Sequence, residues 1–259
     1  MSLAQSLQNR VAVVTGAGSG IGRATAIAFG QCGAAVVAVD IDPRGLSETA
    51  REIESCACVE ADIADPETGK RVLAAASELG PVTDLFNNAG SELVAPLHET
   101  SDSDWDRIMD VNLKGTFMLT RACLQAMLDT GYGSIIINAS DAGMRGIRLS
   151  AAYSTSKAAL VHFTRSIALD YGRFGIRANC ICPGCIATPL CERFNKEVGA
   201  RRGISGKEAL DEFVMANIPM ERVGQPEEVA SVVVFLASDQ ARYVSGAVIP
   251  IDGGLTAGM

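Results

Sequence analysis

Short apolar runs alternate with amphipathic stretches along the whole chain. Val11–Thr15 reads as a β-strand, and a glycine-rich turn follows it. Ile21–Cys32 reads as a helix, and Ala35–Asp40 as a second strand that ends on an acid. Pro43–Glu54 is a helix with proline at its start, where the missing N–H costs nothing. Cys56–Ala61, Asp84–Asn88, Ser134–Ala139, Ile176–Cys182 and Ala247–Ile251 supply the remaining strands. Pro66–Leu79, Ser103–Leu128, Ala151–Tyr171 and Pro226–Ala237 supply the helices between them. Ser101 or Ser103 stands where a cap for the long helix is needed. The Ile135-Ile136-Ile137 run has no polar face, the pattern of a strand covered on both sides.

This βαβα order predicts one Rossmann-like α/β domain over residues 1–259. A doubly wound parallel sheet of about seven strands carries helices on both faces. One segment breaks the rhythm. From Pro183 to about Ile218 the chain is charged and long for a connection, so residues 184–218 are expected to form a lid over a substrate.

Composition narrows the function. The 259 residues carry a formal charge of −8, with no long basic run, which argues against nucleic-acid partners. No apolar stretch reaches membrane-spanning length, and Met1–Arg10 lacks the apolar centre of a secretory signal. The eight cysteines fall mostly in apolar segments, where a reduced thiol packs as a small hydrophobe. A reducing, cytoplasmic setting is the expectation. Cys182-Pro183-Gly184-Cys185 fits the letter of a C-x-x-C redox or half-zinc pattern, but no second pair stands at zinc-like spacing. No metal site is expected. His98 and His162 are far apart and read as surface or helix-face residues.

The first turn, Gly16-Ala17-Gly18-Ser19-Gly20-Ile21-Gly22, lies between a strand and a helix. Free backbone N–H groups and the helix dipole make such a turn a phosphate site. It does not satisfy strict G-x-G-x-x-G, so the turn alone is weak evidence. Asp40 strengthens it: a carboxylate ending the second strand accepts from both ribose hydroxyls and repels a 2′-phosphate. No Lys or Arg stands at Ser19 or Ile41 to offset that charge, so NAD is favoured over NADP. Asp42 is better placed than Asp40 to cap the following helix.

Tyr153 and Lys157 stand four apart on one helical face. A phenol titrates near 10, too high for a base at neutral pH, and a nearby ammonium lowers it. Ser140 closes the isoleucine strand, at the carboxyl end where parallel sheets hold ligands.

With these residues assembled, the chain resembles the short-chain dehydrogenase/reductase family over essentially its whole length. The matching motifs are Thr15-Gly16, Gly20 and Gly22; Asp62; Asn87-Asn88-Ala89-Gly90; Asn112; Ser140; Tyr153 and Lys157; Pro183-Gly184; and Thr188. The resemblance implies an NAD-dependent alcohol dehydrogenase or ketone reductase. Tyr153 would exchange the proton, Lys157 would hold the nicotinamide ribose and depress the phenol's pKa, and Ser140 would bond the substrate oxygen. Asn112 would hold a water linking Lys157 to solvent. Gly16, Ser19, Gly20, Ile21 and Gly22 would hold the pyrophosphate side and Asp40 the ribose. Asp62 and Ile63 would flank the adenine, and Asn88, Ala89 and Gly90 the adenosine ribose side. Pro183 and Gly184 would cover the nicotinamide, with Ile186 and Thr188 at its carboxamide end.

Within the family, Ser91 to Glu99 and Ser103 to Trp105 resemble dihydroanticapsin dehydrogenase-like members. Cyclic diol and sugar-alcohol dehydrogenases are comparable alternatives. The substrate pocket is expected from Ser91, Glu92, Asp141, Arg145, Arg148, Cys185 and the lid. Arg145 and Arg148 suggest an anionic substrate. Family resemblance also implies a homotetramer paired through the helices at Ser103–Leu128 and Ala151–Tyr171. Two other readings stay open: an idle nucleotide-binding scaffold or sensor, and a thiol redox protein using Cys182 and Cys185.

Overall fold

The alternation becomes a seven-stranded, all-parallel sheet in a computed structural model that describes residues 5–258. Residues 1–4, part of the N-terminal stretch read above, and Met259 lie outside the described residues. The strands are β1 (Val11–Thr15), β2 (Ala35–Asp40), β3 (Cys56–Glu60), β4 (Val82–Asn87), β5 (Gly133–Asn138), β6 (Ile176–Pro183) and β7 (Val248–Ile251). Their order across the sheet is β3-β2-β1-β4-β5-β6-β7. The chain runs to one edge, returns to the middle after β3 and continues to the other edge. The reversal between β1 and β4 opens a crevice at the carboxyl ends of the strands.

Side-chain alternation builds two cores. Val11, Val13, Val37, Val39, Ile135 and Ile137 point to one face. There they meet α3 (Thr68–Ser77), α5 (Thr116–Thr130) and α6 (Ala151–Tyr171). Ala12, Val14, Val36, Ala38 and Ile136 point to the other face, under α1 (Gly20–Gln31), α2 (Pro43–Ala50) and α9 (Pro226–Ala237). All three β5 isoleucines are fully buried, worth about 1.5–3 kcal/mol each.

Two elements depart from the sequence pattern. The single helix expected over Ser103–Leu128 is interrupted. Capped by Ser101, α4 (Asp102–Met109) ends in a π-helical turn, Asp110–Gly115, before α5 begins. The wider turn rotates Asn112 into the interior, and Gly115 lies so close to Ile63 that a Cβ there would meet it at 2.9 Å. The expected lid segment is not irregular: it contains α7 (Pro189–Arg202) and α8 (Gly206–Asn217), which pack on each other. Among the described residues no helix is long and apolar enough to cross a membrane.

The amino ends of the strands carry a buried polar cluster, away from the crevice. Arg10 bonds Tyr132, the Ala237 carbonyl (2.7 Å) and Asp239 (2.6 Å), but stands 3.5 Å from Asp84 Oδ1. That oxygen has no hydrogen-bond partner. Burial therefore outweighs Arg10 and pushes Asp84 up to about 6. A folded pKa above the unfolded one contributes stability below about pH 4 that is lost as pH rises through about 6. Asp84→Asn is expected to flatten this part of the melting-temperature profile. Thermal melts of both proteins across that window check it, and an unchanged slope contradicts it.

Candidate active site

The turn after β1 is shaped by close approaches that only glycine permits. Gly16 has φ +64°, and a Cβ on Gly22 would stand 2.0 Å from the Gly16 carbonyl oxygen. The first turn of α1 contains no acidic residue, and its N-cap Ser19 makes no side-chain capping bond. Its backbone donors and the Ser19 hydroxyl thus stay available for a phosphate. Asp40 is held in place rather than loose. Its Oδ2 accepts from Gly18 N at 2.8 Å and its Oδ1 from Asp42 N at 2.9 Å. Asp42, as expected, caps α2 by accepting from Arg44 N.

A hydrogen-bond chain crosses the sheet from this turn to Lys157. Thr15 Oγ1 accepts from Asn88 N (2.9 Å) and Ala89 N (3.0 Å). Asn88 Nδ2 donates to the Thr15 carbonyl at 2.9 Å, and Asn138 Nδ2 donates to Asn88 Oδ1 at 2.8 Å. Lys157 Nζ donates to the Asn138 carbonyl at 2.8 Å. Strands β1, β4 and β5 end side by side, and this network sets their carboxyl ends in one frame. Asn138 Oδ1 remains buried without a partner beside the cleft.

Tyr153 enters at the start of α6, directly after Ser150. Leu149, at φ +62°, turns the chain there, and its carbonyl accepts from Ala95 N at 2.8 Å. Lys157 Nζ lies 5.6 Å from the Tyr153 ring centroid. Ser140 Oγ accepts from Ala142 N at 3.1 Å and donates to Asp141 Oδ1 at 3.0 Å. The expected lowering of the phenol by Lys157 is not what the protein's own groups produce. Burial pushes Tyr153 up, the Ser140 hydroxyl opposes it, and the Glu92 and Asp141 charges add to the rise. Burial also lowers Lys157 to about 8, which weakens the ammonium as a source of positive charge.

Asn112 is fully buried, and its amide is spent on structure. Its Oδ1 accepts from Ser91 N at 2.7 Å, while its Nδ2 donates to the Ser91 carbonyl (2.9 Å) and Ser156 Oγ (3.0 Å). It ties the loop after β4 to α6.

One cleft of about 710 Å³ joins these groups. Its walls include Gly16, Ser19, Gly20, Ile21, Asp40, Asp62 and Ile63 at one end. Asn88, Ala89, Gly90 and Ser91 form the middle, with Ser140, Tyr153, Lys157, Pro183, Gly184, Ile186 and Thr188 beyond. Leu190, Cys191 and Arg193 of α7, and Val111 of the π turn, also line it. The first three fall within the segment expected to form the lid, though helical phase alone does not show which face α7 turns to the cleft; Val111 was not expected there, because the π turn that exposes it has no sequence signal.

Several expected substrate residues stand off the wall. Arg145 grips Asp141, with Nη2 to Oδ2 at 2.7 Å and Nε at 3.0 Å, so its charge is neutralised locally. Arg148 is exposed and outside the cleft. The cationic pocket expected from these two arginines is not assembled; the cleft's basic side chain on this side is Arg193. Glu92 is half-buried, its Oε1 has no partner, and burial pushes it up to about 7 despite Arg193. Cys185 meets Cys191 rather than Cys182, which is fully buried.

A family model described as Enoyl-(Acyl carrier protein) reductase matches residues 16–256. The chain belongs to the short-chain dehydrogenase/reductase family. Levodione reductase of Leifsonia aquatica is 38% identical over 96% of this chain and 95% of that protein. The solved structure of levodione reductase superposes with a TM-score of 0.93 at 35% identity, over 98% of this chain and 100% of the other. The 2-(S)-hydroxypropyl-CoM dehydrogenase 3 of Xanthobacter autotrophicus is 38% identical over 98% of this chain and 100% of its own. A putative NAD(P) dependent gluconate 5-dehydrogenase from Beutenbergia cavernae, solved with bound NADP at low occupancy, gives a TM-score of 0.87 at 38% identity. It matches 98% of this chain and 99% of that one. These short-chain dehydrogenase/reductase relatives are dehydrogenases and reductases, and oxidoreduction is the chemistry that membership supports. Of these descriptions only that of the gluconate 5-dehydrogenase names a coenzyme, NAD(P), so coenzyme choice rests on this chain's own residues.

Proposed function

We propose that this protein is an NAD-dependent dehydrogenase that moves a hydride between nicotinamide and a secondary alcohol or ketone. The observation that carries the reading is the single cleft running from Asp40 to Ser140, Tyr153 and Lys157. Its volume suits a dinucleotide with a small substrate. A nicotinamide bound there would supply the hydride acceptor for oxidation and the hydride donor for reduction. The protein's own groups do the rest. The Gly16–Gly22 turn holds the pyrophosphate and Asp40 the ribose. Lys157 holds the nicotinamide ribose, Ser140 the substrate oxygen, and Tyr153 takes or returns the hydroxyl proton. Asn112 keeps Ser91 and α6 in register, and α7 and α8 cover the substrate.

A small cyclic or polyhydroxylated substrate is the class proposed. Glu92 bears on it: it stands off the cleft wall, but its partly buried carboxyl has an acceptor without a partner and lies close enough to Tyr153 to raise it. We also propose pairing of subunits through α5 and α6, which expose Phe117 and Leu169.

Asp40 supports NAD. It lines the cleft with both oxygens fixed, Ile41 beside it carries no charge, and Arg23 is paired with Glu48 at 2.7 Å. Parallel titrations with NADH and NADPH are expected to favour NADH. Two bonds to a carboxylate, each about 1.5 kcal/mol, correspond to a preference on the order of 10²-fold. Equal or tighter NADPH binding overturns it. Combining Asp40→Ala with Ile41→Arg should reverse the preference. A panel of cyclic and acyclic secondary alcohols, read by NADH formation, tests the reaction class.

A further inference from the structure

Cys185 follows the loop that leaves β6, and Cys191 lies in the first turn of α7. Their sulfurs are 3.2 Å apart and both residues are half-buried, so a small reagent reaches them. Of the other neighbouring thiols, Cys180 and Cys182 are fully buried within β6, and Cys56 and Cys58 meet on edge strand β3, away from the cleft. The C-x-x-C spacing of Cys182 and Cys185 is thus not the redox pair; the fold substitutes a pair six residues apart.

We propose that Cys185 and Cys191 form a dithiol site that low-molecular-weight disulfides oxidise to an intramolecular disulfide, locking α7 over the substrate end of the cleft.

The two sulfurs are not equivalent. Thr188 caps α7 and accepts from Cys191 N at 3.2 Å, so Cys191 sits where the helix dipole favours a thiolate. Asn195 Nδ2 lies 3.3 Å from its sulfur. The Cys185 thiol hydrogen-bonds it as well, and these contacts hold Cys191 below its ordinary range against burial and the Glu92 and Glu192 charges. The same contact, with burial, pushes Cys185 up. Cys191 is therefore the attacking sulfur and Cys185 the resolving one.

Cys191 gives up its proton, and its thiolate attacks one sulfur of the added disulfide. That S–S bond breaks, and a small thiolate leaves and takes up a proton. Cys185 then loses its proton and attacks the Cys191 sulfur of the mixed disulfide. The second small thiolate leaves and is protonated. Two protein thiols are oxidised, and the added disulfide is reduced to two thiols.

Closing the bond brings the sulfurs from 3.2 Å to about 2.05 Å. Cys185 cannot yield easily. Its carbonyl accepts from Gly224 N at 3.0 Å, and Ala187 N donates to the Gly224 carbonyl at 2.9 Å, so the loop is clamped on both sides. Movement falls on Cys191 and its turn, which also carries Leu190 and, just beyond, Arg193 on the cleft wall. A bond there removes the freedom of α7 to swing for substrate entry and product release.

The test uses the full chain and its Cys185→Ser and Cys191→Ser variants, each compared with its own reduced state. All are equilibrated with oxidised glutathione, then read by thiol titration, non-reducing peptide mapping, limited proteolysis of α7 and alcohol oxidation. The wild type is expected to lose two titratable thiols and to show a Cys185–Cys191 link. Its α7 should become slower to cleave, and its turnover should fall on the order of tenfold and return with dithiothreitol. Neither variant should form the Cys185–Cys191 link. Absence of the link, or a link elsewhere, overturns the proposal; so does a complete link with unchanged α7 cleavage and turnover. The map and the proteolysis read the site even if the assigned alcohol chemistry fails, which keeps the two outcomes apart.

Discussion

Tyr153→Phe is expected to lower alcohol oxidation by about 10²–10⁴-fold and to leave coenzyme binding nearly unchanged. The ring keeps its place at the start of α6, and only the proton-transfer group is removed. The pH dependence makes the role specific. Burial and the nearby Glu92 and Asp141 charges raise the phenol above its ordinary value, so the phenolate that accepts the alcohol proton is favoured only as pH rises. Oxidation should therefore accelerate from neutral toward alkaline pH, and ketone reduction, which needs the phenol, should slow. A bound oxidised nicotinamide, being positively charged, would move this transition down without changing its direction. Pre-steady-state rates of both proteins across pH check the assignment. Retention of more than about a hundredth of the activity, or the same pH slope in the variant, contradicts the acid/base role.

Lys157→Met is expected to reduce turnover by about 10²-fold or more and to weaken coenzyme binding as well, since the proposed ribose-holding ammonium also stands 5.6 Å from the Tyr153 ring. Stability should respond differently. Lys157 is 4% exposed, and burial lowers it to about 8. A lysine lowered in the folded state contributes stability present above its unfolded value near 10.5 and lost as pH falls through about 8. At neutral pH its charge thus costs about 3 kcal/mol, which Met relieves. Against this, the Asn138 carbonyl loses its donor, at about 1–3 kcal/mol. The two nearly offset, so the melting temperature should move little while activity collapses. Calorimetry beside NADH titration checks this. Intact coenzyme affinity, or a large fall in melting temperature, contradicts the assignment.

The proposed catalytic pair was legible because it is local. Tyr153 and Lys157 share a helical face at any spacing of four, and the glycine turn after β1 declares itself by sitting between a strand and a helix. The substrate side was not legible to the same degree. Arg145 and Arg148 stand in the right segment, yet Arg145 is taken by Asp141 four residues back, and Arg148 faces solvent. Arg193 comes into the cleft from α7, forty residues downstream of Tyr153 by sequence number, through a helix whose apolar face is weakly marked.

Taken alone, the amino-acid order determined the seven strands and most of the helices, that the sheet is parallel and covered on both faces, and many of the residues at the carboxyl ends. Periodicity carries that information, because it encodes how each short segment must bury its own apolar side. Only the tertiary structure decided the β3-β2-β1-β4-β5-β6-β7 order and the Asn112 π turn. It also decided the chain of bonds from Thr15 to Lys157, the rise of the Tyr153 phenol, and the meeting of Cys185 with Cys191. Most of these depend on groups brought together from distant parts of the chain; the π turn and the Cys185–Cys191 contact are near in sequence but are set by how those segments pack. Their burial, fields and contacts exist only once the sheet has closed, so no local pattern of residues contains them.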